Sequence, residues 1–561
     1  MKFLSLHCDY IKFKPLKKAL KKPEELSKER KEEIQVKEPL VILTAIEKKD
    51  ETNPNLIDDY IKEITNIAKQ VNTKNIVLYP YAHLSSNLSA PDFAQKILEK
   101  AESELSKKFK ITRAPFGYYK EFELKCKGHP LSELSREIIS KEKKELEINT
   151  KQLLKEISKS KLDTRELKDN DHRILGKQMD LFSFSETAPG MVFWHNNGLI
   201  IKNKLIEFWR KEHKKEGYQE ISTPQILDKK LWQISGHWEK YKENIFLTEY
   251  EKRIFAVKPM NCPGGMLIYK NSPKSYKNLP LRVGELGIVH RKELSGVLGG
   301  LFRVIQFTQD DAHIYCTEKQ LEKELINVIN LVDKFYKLFQ FKYRVELSTR
   351  PEKRIGSDKI WDKAESTLEK VLKKNKIKFK INKGDGAFYG PKIDFHIKDS
   401  LNREWQCATL QLDFAMPERF ELEYADEKNK RKTPIMLHRT LYGSLERFMG
   451  ILLEHYKGHL PLWISPIQCR IINFTDKNNK TCENIYNELK SLGFRVDLDL
   501  TSEPLQGKIK QAELEKIPYI IVIGNREEKS GNLAVRKLGK ISQIEKNQFI
   551  KQIQKEVDEK R

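Results

Sequence analysis

The chain has 561 residues, of which 104 are Lys or Arg and 80 are Asp or Glu, so its formal net charge at pH 7 is +24. Hydrophobic residues make up 39% of it, which is too many for a disordered protein and enough for several buried cores. No stretch approaches the ~18 apolar residues of a membrane span, and the first residues lack an export signal. The charge predicts a polyanionic partner, nucleic acid first. Seven scattered cysteines fit a reducing cytoplasm.

The first part of the chain predicts a small α/β domain followed by a linker. Buried strands are expected at 41–46 and 76–81, with a helix over 58–70 between them, which is typical of a βαβ-like unit. We place this domain at 1–140. Residues 141–170 are dense in Lys and Glu and almost free of Gly and Pro, which predicts a helical linker.

A second domain is expected over 171–458 and a third over 459–561. In the second, strand-forming segments on either side of the Gly-rich turn SGVLGG predict an antiparallel pair within 282–315. Its last part, 433–458, is predicted as one long apolar-rich helix. In the third, strands alternate with helices, which predicts a small α/β domain with a partly parallel sheet.

Three arginines in the second domain are candidates for a phosphate clamp. Arg291 and Arg303 flank the Gly-rich turn, and Arg447 follows Gly443 on a predicted helix. A single arginine is most often a surface charge. Two arginines on a strand pair and a third on a helix that begins after a glycine suit the binding of a triphosphate, because guanidinium groups bind phosphates in a bidentate way.

The order of these motifs resembles class II aminoacyl-tRNA synthetases. A helix leads into a strand that ends at Pro224, Arg291 and Glu293 form an Arg-x-Glu motif, and Gly443 precedes Arg447 by four residues. The segments MVFWH, KPMNCPG, DDAHI, YGPKIDF, REWQCATLQLDF and HRTLYGSLERF are similar to those of threonyl-tRNA synthetases, over roughly 170–561. The resemblance implies an α/β and α+β multidomain protein with an antiparallel-sheet catalytic core, which dimerises through the first motif.

The resemblance implies that L-threonine is activated with ATP and Mg²⁺ and then transferred to the 3′ end of threonine tRNA. Arg291 would hold the α-phosphate, Glu293 the adenine and Arg447 the γ-phosphate, while Asp311 would take the substrate ammonium. The implied catalytic residues are Arg291, Gln309, Lys392 and Arg447. The implied ATP contacts are Arg291, Glu293, Arg303, Gln406, Thr409, Ser444 and Arg447, and the implied amino-acid contacts are Met260, Asp311, Tyr389 and Gln411.

Three further residues match the zinc ligands of that family: Cys262, His313 and His438. Alone, each is most often a core or surface residue, and their wide separation in the chain is not a local metal motif. One thiolate and two imidazoles would leave coordination positions open, as a catalytic zinc requires. In the family these positions take the amino group and hydroxyl of threonine, so valine is rejected. Gly265 departs from the His that is more common in the family, which affects a detail of the pocket.

Serine also carries an amino group and a hydroxyl, and a missing methyl gives only about 10- to 200-fold discrimination. A second sieve is therefore expected. Residues 1–140 resemble the archaeal type of editing domain, with a D-aminoacyl-tRNA deacylase fold, through LYPYAHLSS and APFGYYKEFELKCKGHPLSELSR. The implied functional positions are His83, Tyr119, Lys120 and Glu133. A lysine and a carboxylate beside a pocket can orient water and stabilise an oxyanion.

The third domain resembles the anticodon-binding domain of several class II synthetases. Glu527 and Arg536 match base-reading positions, and an acidic acceptor and a guanidinium suit base edges in an unstacked loop. Ser502 departs from an Asn common in bacterial relatives. Lys508 and Lys510 are expected to contact phosphates or to be solvated charges.

Three alternatives stay open. The first is a catalytically silent paralogue that binds RNA, and the second is a free-standing deacylase with a vestigial central domain. The third is a class II enzyme of another specificity, such as prolyl or seryl.

Overall fold

The computed structural model describes residues 1–20, 23–85, 87–138, 167–399 and 403–561. The chain divides into two compact units, Met1–Asn149 and Thr150–Arg561. The predicted helical linker over 141–170 lies outside the described residues except for 167–170, which contain a turn and no helix. Among the described residues, no helix has the length and apolar character needed to cross a membrane.

The described residues of the first unit form a seven-stranded mixed sheet with two α-helices. Its elements are β1 (Lys2–Lys18), β2 (Ile34–Lys37), β3 (Pro39–Ala45), α1 (Leu56–Gln70), β4 (Asn75–Pro80), α2 (Pro91–Leu105), β5 (Lys110–Arg113), β6 (Tyr118–Cys126) and β7 (Glu133–Glu137). The order is β2-β1-β3-β4-β5, and both β6 and β7 pair with the long β1. Because β3 and β4 are parallel and α1 joins them, the predicted βαβ unit is confirmed.

The two faces of this sheet have separate cores. Tyr60 and Ile64 lie one turn apart on α1 and pack with Leu40 and Ile42 of β3 on one face. The alternate residues of β3 point to the other face, where Val41 packs with Tyr79 and residues of β1. The second face is the one that β6 approaches, and it holds one of the predicted editing residues.

The second unit contains twenty strands among the described residues. In chain order they are β8 (Phe182–Ser183), β9 (Phe193–Trp194), β10 (Gln219–Glu220), β11 (Ile226–Asp228), β12 (Leu247–Tyr250), β13 (Arg253–Val257), β14 (Leu281–His290), β15 (Gln306–Cys316), β16 (Lys342–Ser348), β17 (Phe379–Asn382), β18 (Lys392–Lys398), β19 (Glu404–Asp413), β20 (Tyr424–Ala425), β21 (Arg431–Lys432), β22 (Ile435–Thr440), β23 (Cys469–Asn473), β24 (Val496–Asp499), β25 (Tyr519–Ile523), β26 (Asn532–Lys537) and β27 (Lys540–Glu545).

The described helices of this unit are α3 (His172–Gln178), α4 (Asn196–Lys215), α5 (Lys229–Ile234), α6 (His237–Tyr241), α7 (Cys262–Lys270), α8 (Glu318–Leu338), α9 (Asp358–Lys374), α10 (Ala415–Arg419), α11 (Leu445–His455), α12 (Asn479–Ser491), α13 (Leu505–Leu514), α14 (Asn525–Ser530) and α15 (Lys546–Asp558).

The main sheet of the unit has eight strands in the order β10-β14-β15-β22-β19-β18-β16-β17. Its pairs are antiparallel except at the two edges, where β10 runs parallel to β14 and β17 parallel to β16. Helices α8, α9 and α11 bury apolar side chains in one large core with the sheet, among them Val332, Leu368 and Phe448. The predicted antiparallel strand pair is confirmed as β14 and β15, which align from Leu281 with Tyr315 to His290 with Gln306.

The predicted helix over 433–458 is wrong in its first half. Ile435–Thr440 is the strand β22, and the helix α11 begins only at Leu445. All six residues of β22 are buried, because it is an interior strand covered on both faces. Such a strand lacks the apolar–polar alternation that distinguishes a strand from a buried helix in sequence.

The last part of the second unit is a five-stranded sheet in the order β24-β23-β25-β26-β27. Strand β23 is parallel to both β24 and β25, whereas β26 and β27 are antiparallel additions. Helices α12 and α15 bury Cys482, Leu489 and Phe549 against one face of this sheet. The predicted α/β arrangement with a partly parallel sheet is confirmed.

Candidate active site

Three predicted metal ligands come together on the main sheet. Cys262 begins α7, His313 lies on β15, and His438 lies directly opposite His313 on β22. One ligand atom from each residue lies within 4.8 Å of the other two, and all three side chains are buried. The register of two antiparallel strands therefore brings together residues that are far apart in the chain.

The surroundings of these residues fit a bound cation. His438 Nε2 donates to Asp413 Oδ2 at 2.9 Å, which leaves Nδ1 of that ring for a metal. His313 Nε2 is buried and has no hydrogen-bond partner among the described residues. Burial raises the pKa of the Cys262 thiol and lowers that of His313. A buried nitrogen without a partner beside a thiol and a second imidazole is the donor set of a site for zinc.

Asp413 is a supporting residue that the sequence analysis missed. Its Oδ1 accepts the backbone N–H groups of Ala415 and Met416 at 2.8 and 2.9 Å, while Oδ2 takes His438. The carboxylate thus holds the imidazole in one tautomer and one orientation. Its signal in the sequence is a carboxylate that ends β19 directly after the buried Leu410 and Leu412.

The predicted amino-acid contacts surround the three ligands. Asp311 lies two residues before His313 on the same face of β15, with Oδ2 3.9 Å from His313 Nε2. The Tyr389 ring lies 4.8 Å from that of His438, and its hydroxyl donates to Gln411, which is opposite His438 on β19. Asp311 is buried, which raises its pKa. The pocket thus presents a carboxylate and hydrogen-bonding groups beside the three ligands.

Met260, the fourth predicted amino-acid contact, lies beside a buried histidine. Its sulfur is 2.7 Å from Nε2 of the buried His237, whose Nδ1 lies 2.8 Å from the Ser235 hydroxyl. Burial lowers the pKa of His237 to about 3, so this ring is neutral. Met260 therefore packs against a neutral imidazole.

Two of the predicted phosphate arginines are anchored through their Nε atoms. Arg291, just after β14, donates from Nε to the Pro259 carbonyl at 3.2 Å, and its guanidinium lies 5.1 Å from the centre of the Phe307 ring. Arg447, in the first turn of α11, donates from Nε to the Phe302 carbonyl at 2.9 Å. Anchoring through Nε directs the terminal nitrogens of each guanidinium away from the backbone, which suits bidentate binding of an anion.

Arg303 and Glu293, both predicted to contact ATP, pair with each other at 2.9 Å. Arg303 also lines a cavity of about 420 Å³ with Arg447 and the aromatic residues Phe302 and Trp405. This volume lies within the range of small-molecule sites.

Lys392, Gln406 and Thr409 converge on Asp394, a residue that the sequence analysis did not select. The Gln406 amide and the Thr409 hydroxyl donate to Oδ1 of Asp394, while Lys392 and Ser348 donate to Oδ2. Asp394 is fully buried on β18. Its signal is a carboxylate inside the buried segment KIDFHI, where an unpaired charge would be costly.

A second buried carboxylate, Asp310, holds the turn that leads into α11. Its Oδ1 accepts the N–H of Gly443 at 2.9 Å, and its Oδ2 accepts those of Leu441 and Tyr442 at 2.9 and 3.0 Å. Burial raises the pKa of Asp310 to about 7, while the charge of Arg439 and the three N–H groups oppose that rise. Gly443 has φ of 82°, and a Cβ there would lie 2.6 Å from the Cys407 carbonyl oxygen.

The turn places two predicted ATP residues. The Ser444 hydroxyl accepts the N–H of Arg447 at 3.2 Å and caps α11. Ser444 also forms an isolated bridge with Gln309, which follows Thr308 on β15. Asp310 and its neighbours thus connect the amino-acid pocket to the arginine at the start of α11.

The predicted editing residues of the first unit are only partly brought together. Lys120 Nζ donates to the carbonyls of Pro115 and Tyr118 at 2.9 and 3.1 Å and lies 5.1 Å from the Tyr79 ring. Burial lowers the pKa of Lys120 to about 8. The Tyr79 ring is 6.4 Å from Tyr81, whose ring is 5.4 Å from that of His83.

Tyr119 and Glu133 lie outside this aromatic line. Tyr119 alternates with Lys120 along β6, so it points to the opposite side, where 56% of it is exposed. Glu133 begins β7, faces Leu6 in the register with β1, and is exposed. Residues of the family motif that are adjacent in sequence therefore lie on different sides of one strand.

The predicted base readers share one face of the C-terminal sheet. Glu527 accepts from the Gly524 N–H and from Gln543, which lies opposite Ala534, two residues before Arg536. Ser502 and Lys510 are exposed. The expectation for Lys508 is wrong, because its ammonium is buried and donates to Asn473 at 2.6 Å.

Comparison with known sequence families divides the chain into three matched parts. Residues 1–138 match the archaea-specific editing domain of threonyl-tRNA synthetase, 246–456 the tRNA synthetase class II core domain (G, H, P, S and T), and 468–556 an anticodon-binding domain. These three descriptions agree with the resemblances seen in the sequence.

Curated relatives carry the name threonine–tRNA ligase. The protein of Caldanaerobacter subterraneus is 53% identical over 394 residues, which is 70% of this chain and 61% of the relative. That of Carboxydothermus hydrogenoformans is 50% identical over 398 residues, or 71% and 63%. The matched part thus spans a little over three fifths of these relatives.

Solved structures are similar as well. The RNA-binding domain of threonyl-tRNA synthetase from Cryptosporidium parvum Iowa II superposes with a TM-score of 0.66 at 37% identity, covering 69% of this chain and 98% of that one. A putative threonyl-tRNA synthetase from Aeropyrum pernix gives 0.61 at 28% identity, covering 70% and 97%.

Proposed function

The chain belongs to the threonyl-tRNA synthetase family, and we propose from this premise that it is a threonine–tRNA ligase with an editing activity in its first unit. It activates L-threonine with ATP to threonyl-adenylate and pyrophosphate, and it then transfers threonine to the 3′ end of threonine tRNA. The observation that carries the proposal is the cluster of Cys262, His313 and His438 beside Asp311.

In this proposal the chain's own residues orient threonine. Asp311 binds the substrate ammonium, which lowers the cost of keeping that carboxylate ionised in a buried place. Tyr389 and Gln411, already hydrogen-bonded to each other, close the pocket on the side of His438. Zinc held by the three ligands would supply a Lewis acid with open positions for the amino group and hydroxyl.

The proposed activation step needs no nucleophile from the protein. The threonine carboxylate attacks the α-phosphorus of ATP, and pyrophosphate leaves with Mg²⁺ that enters with the nucleotide. Arg291 stabilises the charge that develops on the α-phosphate, and Arg447 binds the γ-phosphate. Lys392 is held in place by Asp394 and Asp385, so its contribution is that of a fixed cation.

The same pocket explains why editing is needed. Valine lacks the hydroxyl that the proposed site binds, whereas serine has it and lacks only a methyl group, worth about 10- to 200-fold. We place the second sieve in the first unit. There the Lys120 ammonium, held by two carbonyl acceptors, stabilises the oxyanion during hydrolysis of mischarged seryl-tRNA, with His83 as a further contact at the end of the aromatic line.

Exposed apolar side chains support a homodimer. Ile226, Leu247 and Ile254 on the sheet of β11, β13 and β12, and Leu267 and Ile268 on α7, are all at least two fifths exposed. They flank the segment around Pro224 and the edge strand β10. Several exposed apolar side chains on neighbouring elements are typical of an interface between copies. Seven free cysteines support a reducing cytoplasm.

The decisive experiment combines metal analysis of the purified protein with ATP–pyrophosphate exchange driven by Thr, Ser, Val or Pro. We expect one zinc per subunit and exchange that is strongest with threonine and negligible with valine and proline. Exchange absent with every amino acid would favour the silent paralogue or the free-standing deacylase, and exchange driven by proline would favour another class II specificity.

Arg291→Ala tests the proposed phosphate contact within this assay. Loss of one preorganised donor costs about 100-fold or more in rate. Arg431→Ala is the matched control. Arg431 lies on β21, its side chain is 80% exposed, and it pairs at the surface with Glu423, which precedes β20. Exchange by Arg291→Ala at the level of the control would rule out the assignment of Arg291.

A further inference from the structure

Phe474 is an exposed aromatic residue in a polar part of the C-terminal sheet domain. It follows β23 directly, and 60% of it is exposed. The next three residues, Thr475, Asp476 and Lys477, are also exposed. An exposed ring that is followed by exposed polar residues differs from the contiguous apolar patch of a protein interface.

The position of Phe474 in the sheet is that of a ligand site. Strands β23 and β25 are adjacent and parallel, and Phe474 and Gly524 are the residues that follow their carboxyl ends. In the order β24-β23-β25, the chain continues from β23 to β24 on one side and then crosses to β25 on the other side of β23, so β23 and β25 form the switch point of the sheet. Ligands of open α/β sheets bind in the crevice outside the carboxyl ends of the strands at such a switch point.

Phe474 lies next to Glu527, the proposed base reader. A Cβ placed on Gly524 would lie 3.4 Å from Phe474 Cβ and 3.2 Å from Glu527 Oε2, so both side chains border the same point. Glu527 in turn accepts the N–H of Gly524 at 3.1 Å. An aromatic face and a hydrogen-bond acceptor for base edges thus stand side by side.

The backbone that carries the ring is held rigidly. The Phe474 N–H donates to the Ile523 carbonyl at 2.8 Å. Asn478 Nδ2 donates to Asn525 and to Glu528 at 3.0 Å each, which ties the segment after β23 to α14. A ring carried on a backbone that is fixed before binding has less entropy to lose when it takes up a ligand.

We infer that Phe474 is a stacking platform for one unpaired base of the anticodon loop of the tRNA. The inference rests on the proposed function, since it takes threonine tRNA as the ligand. Recognition of single-stranded RNA commonly combines stacking of an unstacked base on an aromatic ring with hydrogen bonds to the edges of a base. Phe474 supplies the stacking, and Glu527 supplies the acceptor beside it.

The test measures the affinity of the full-length protein for unmodified threonine tRNA. Stacking on one aromatic ring is sensitive to its removal, so Phe474→Ala should raise the Kd about tenfold or more. Phe474→Tyr should bind within about twofold of wild type, because the aromatic face remains, while Phe474→Leu should resemble Phe474→Ala. The salt dependence of binding should not change, because no phosphate contact is lost.

Leu492→Ala is the matched control. Leu492 is 51% exposed and follows α12, at the opposite, amino edge of the parallel strands, so its loss should leave tRNA affinity unchanged. Threonine-dependent exchange without tRNA should be unchanged in every variant, which shows that the variants are folded. A set of tRNAs with an abasic site at each loop position then identifies the stacked base, since removal of that base should weaken binding to wild type but not to Phe474→Ala.

Equal affinity of Phe474→Ala and wild type for threonine tRNA would overturn the inference, and so would Phe474→Leu binding as tightly as Phe474→Tyr. These outcomes leave the proposed function standing. Failure of the wild-type protein to prefer threonine tRNA over another tRNA would instead overturn the proposed function.

Discussion

Asp310→Asn is the most informative substitution near the site, because it keeps the shape of a buried side chain and changes only its charge and its hydrogen-bonding groups. The carboxylate takes three backbone N–H groups within 3.0 Å. An amide has one oxygen, so at least one of these N–H groups then faces an NH₂ donor. Each buried N–H left without an acceptor costs about 1–3 kcal/mol, and the remaining bonds lose the help of a full charge.

The turn that these bonds hold leads into Ser444 and Arg447, so part of this cost should appear in catalysis. Since 1.4 kcal/mol corresponds to a factor of ten in rate, we expect exchange to fall about tenfold or more, with a higher KM for ATP and an unchanged KM for threonine. The assay is threonine-dependent exchange at pH 8, above the pKa of about 7 of Asp310, together with thermal unfolding.

Tyr442→Phe is the control for lost stability alone. It removes one buried hydrogen bond, from the Tyr442 hydroxyl to the Leu205 carbonyl, in the same turn, without touching Asp310. If Asp310→Asn loses stability as this control does but keeps the wild-type KM for ATP, the carboxylate supports the fold and does not position Arg447.

Three further predictions concern other parts of the protein. Asp413→Asn should weaken zinc binding about 10- to 100-fold, as measured by competition with a chelator. The amide oxygen stays on the backbone N–H groups, so its NH₂ group faces His438 and favours the wrong tautomer of that ring. Unchanged zinc affinity would contradict this prediction. The rate of seryl-tRNA hydrolysis, corrected for the uncatalysed rate, should fall as the pH rises through about 8, because Lys120 loses its proton there. Lys120→Arg should remove that fall, since an arginine keeps its charge. An identical pH profile for the variant and the wild type would exclude a role for the ammonium. Gly443→Ala should unfold at a lower temperature and lose exchange, since its Cβ would lie 2.6 Å from a carbonyl oxygen; wild-type behaviour would show that the turn adapts.

The fold could be predicted from the sequence where it depends on local patterns. Strands β3 and β4 with α1 between them, the pair β14 and β15, and the alternation in the C-terminal part were all predicted from hydrophobic periodicity and turn residues. The failure at β22 has a physical cause. A strand buried on both faces has no polar residue at every second position, so its sequence resembles that of a buried helix.

The site shows a different limit. The three candidate metal ligands were selected by the similarity of their motifs to those of the family, because nothing local in the sequence indicates that His313 and His438 face each other across two strands. Asp310, Asp394 and Asp413 were missed, since their partners are backbone groups or side chains from distant strands. Buried carboxylates of this kind become visible only when the pairing of the sheet is known.

Tyr119 and Lys120 show the same limit within a motif. Neighbouring residues on a strand point to opposite sides, so a shared motif does not imply a shared pocket. Once β6 is recognised as a strand, only one of the two can face Tyr79.

The alternation along β15 makes the chemistry depend on exact strand pairing. Asp311 and His313 face the proposed substrate pocket, while Asp310 faces the turn before α11. A slip of one residue between β15 and its neighbours would exchange the two aspartates and turn the histidine away from Cys262. Insertions and deletions in this hairpin should therefore be tolerated only in the Gly-rich turn. The three proposed metal ligands also come from segments that meet only in the folded chain, so a bound ion would stabilise the fold in proportion to the logarithm of its concentration.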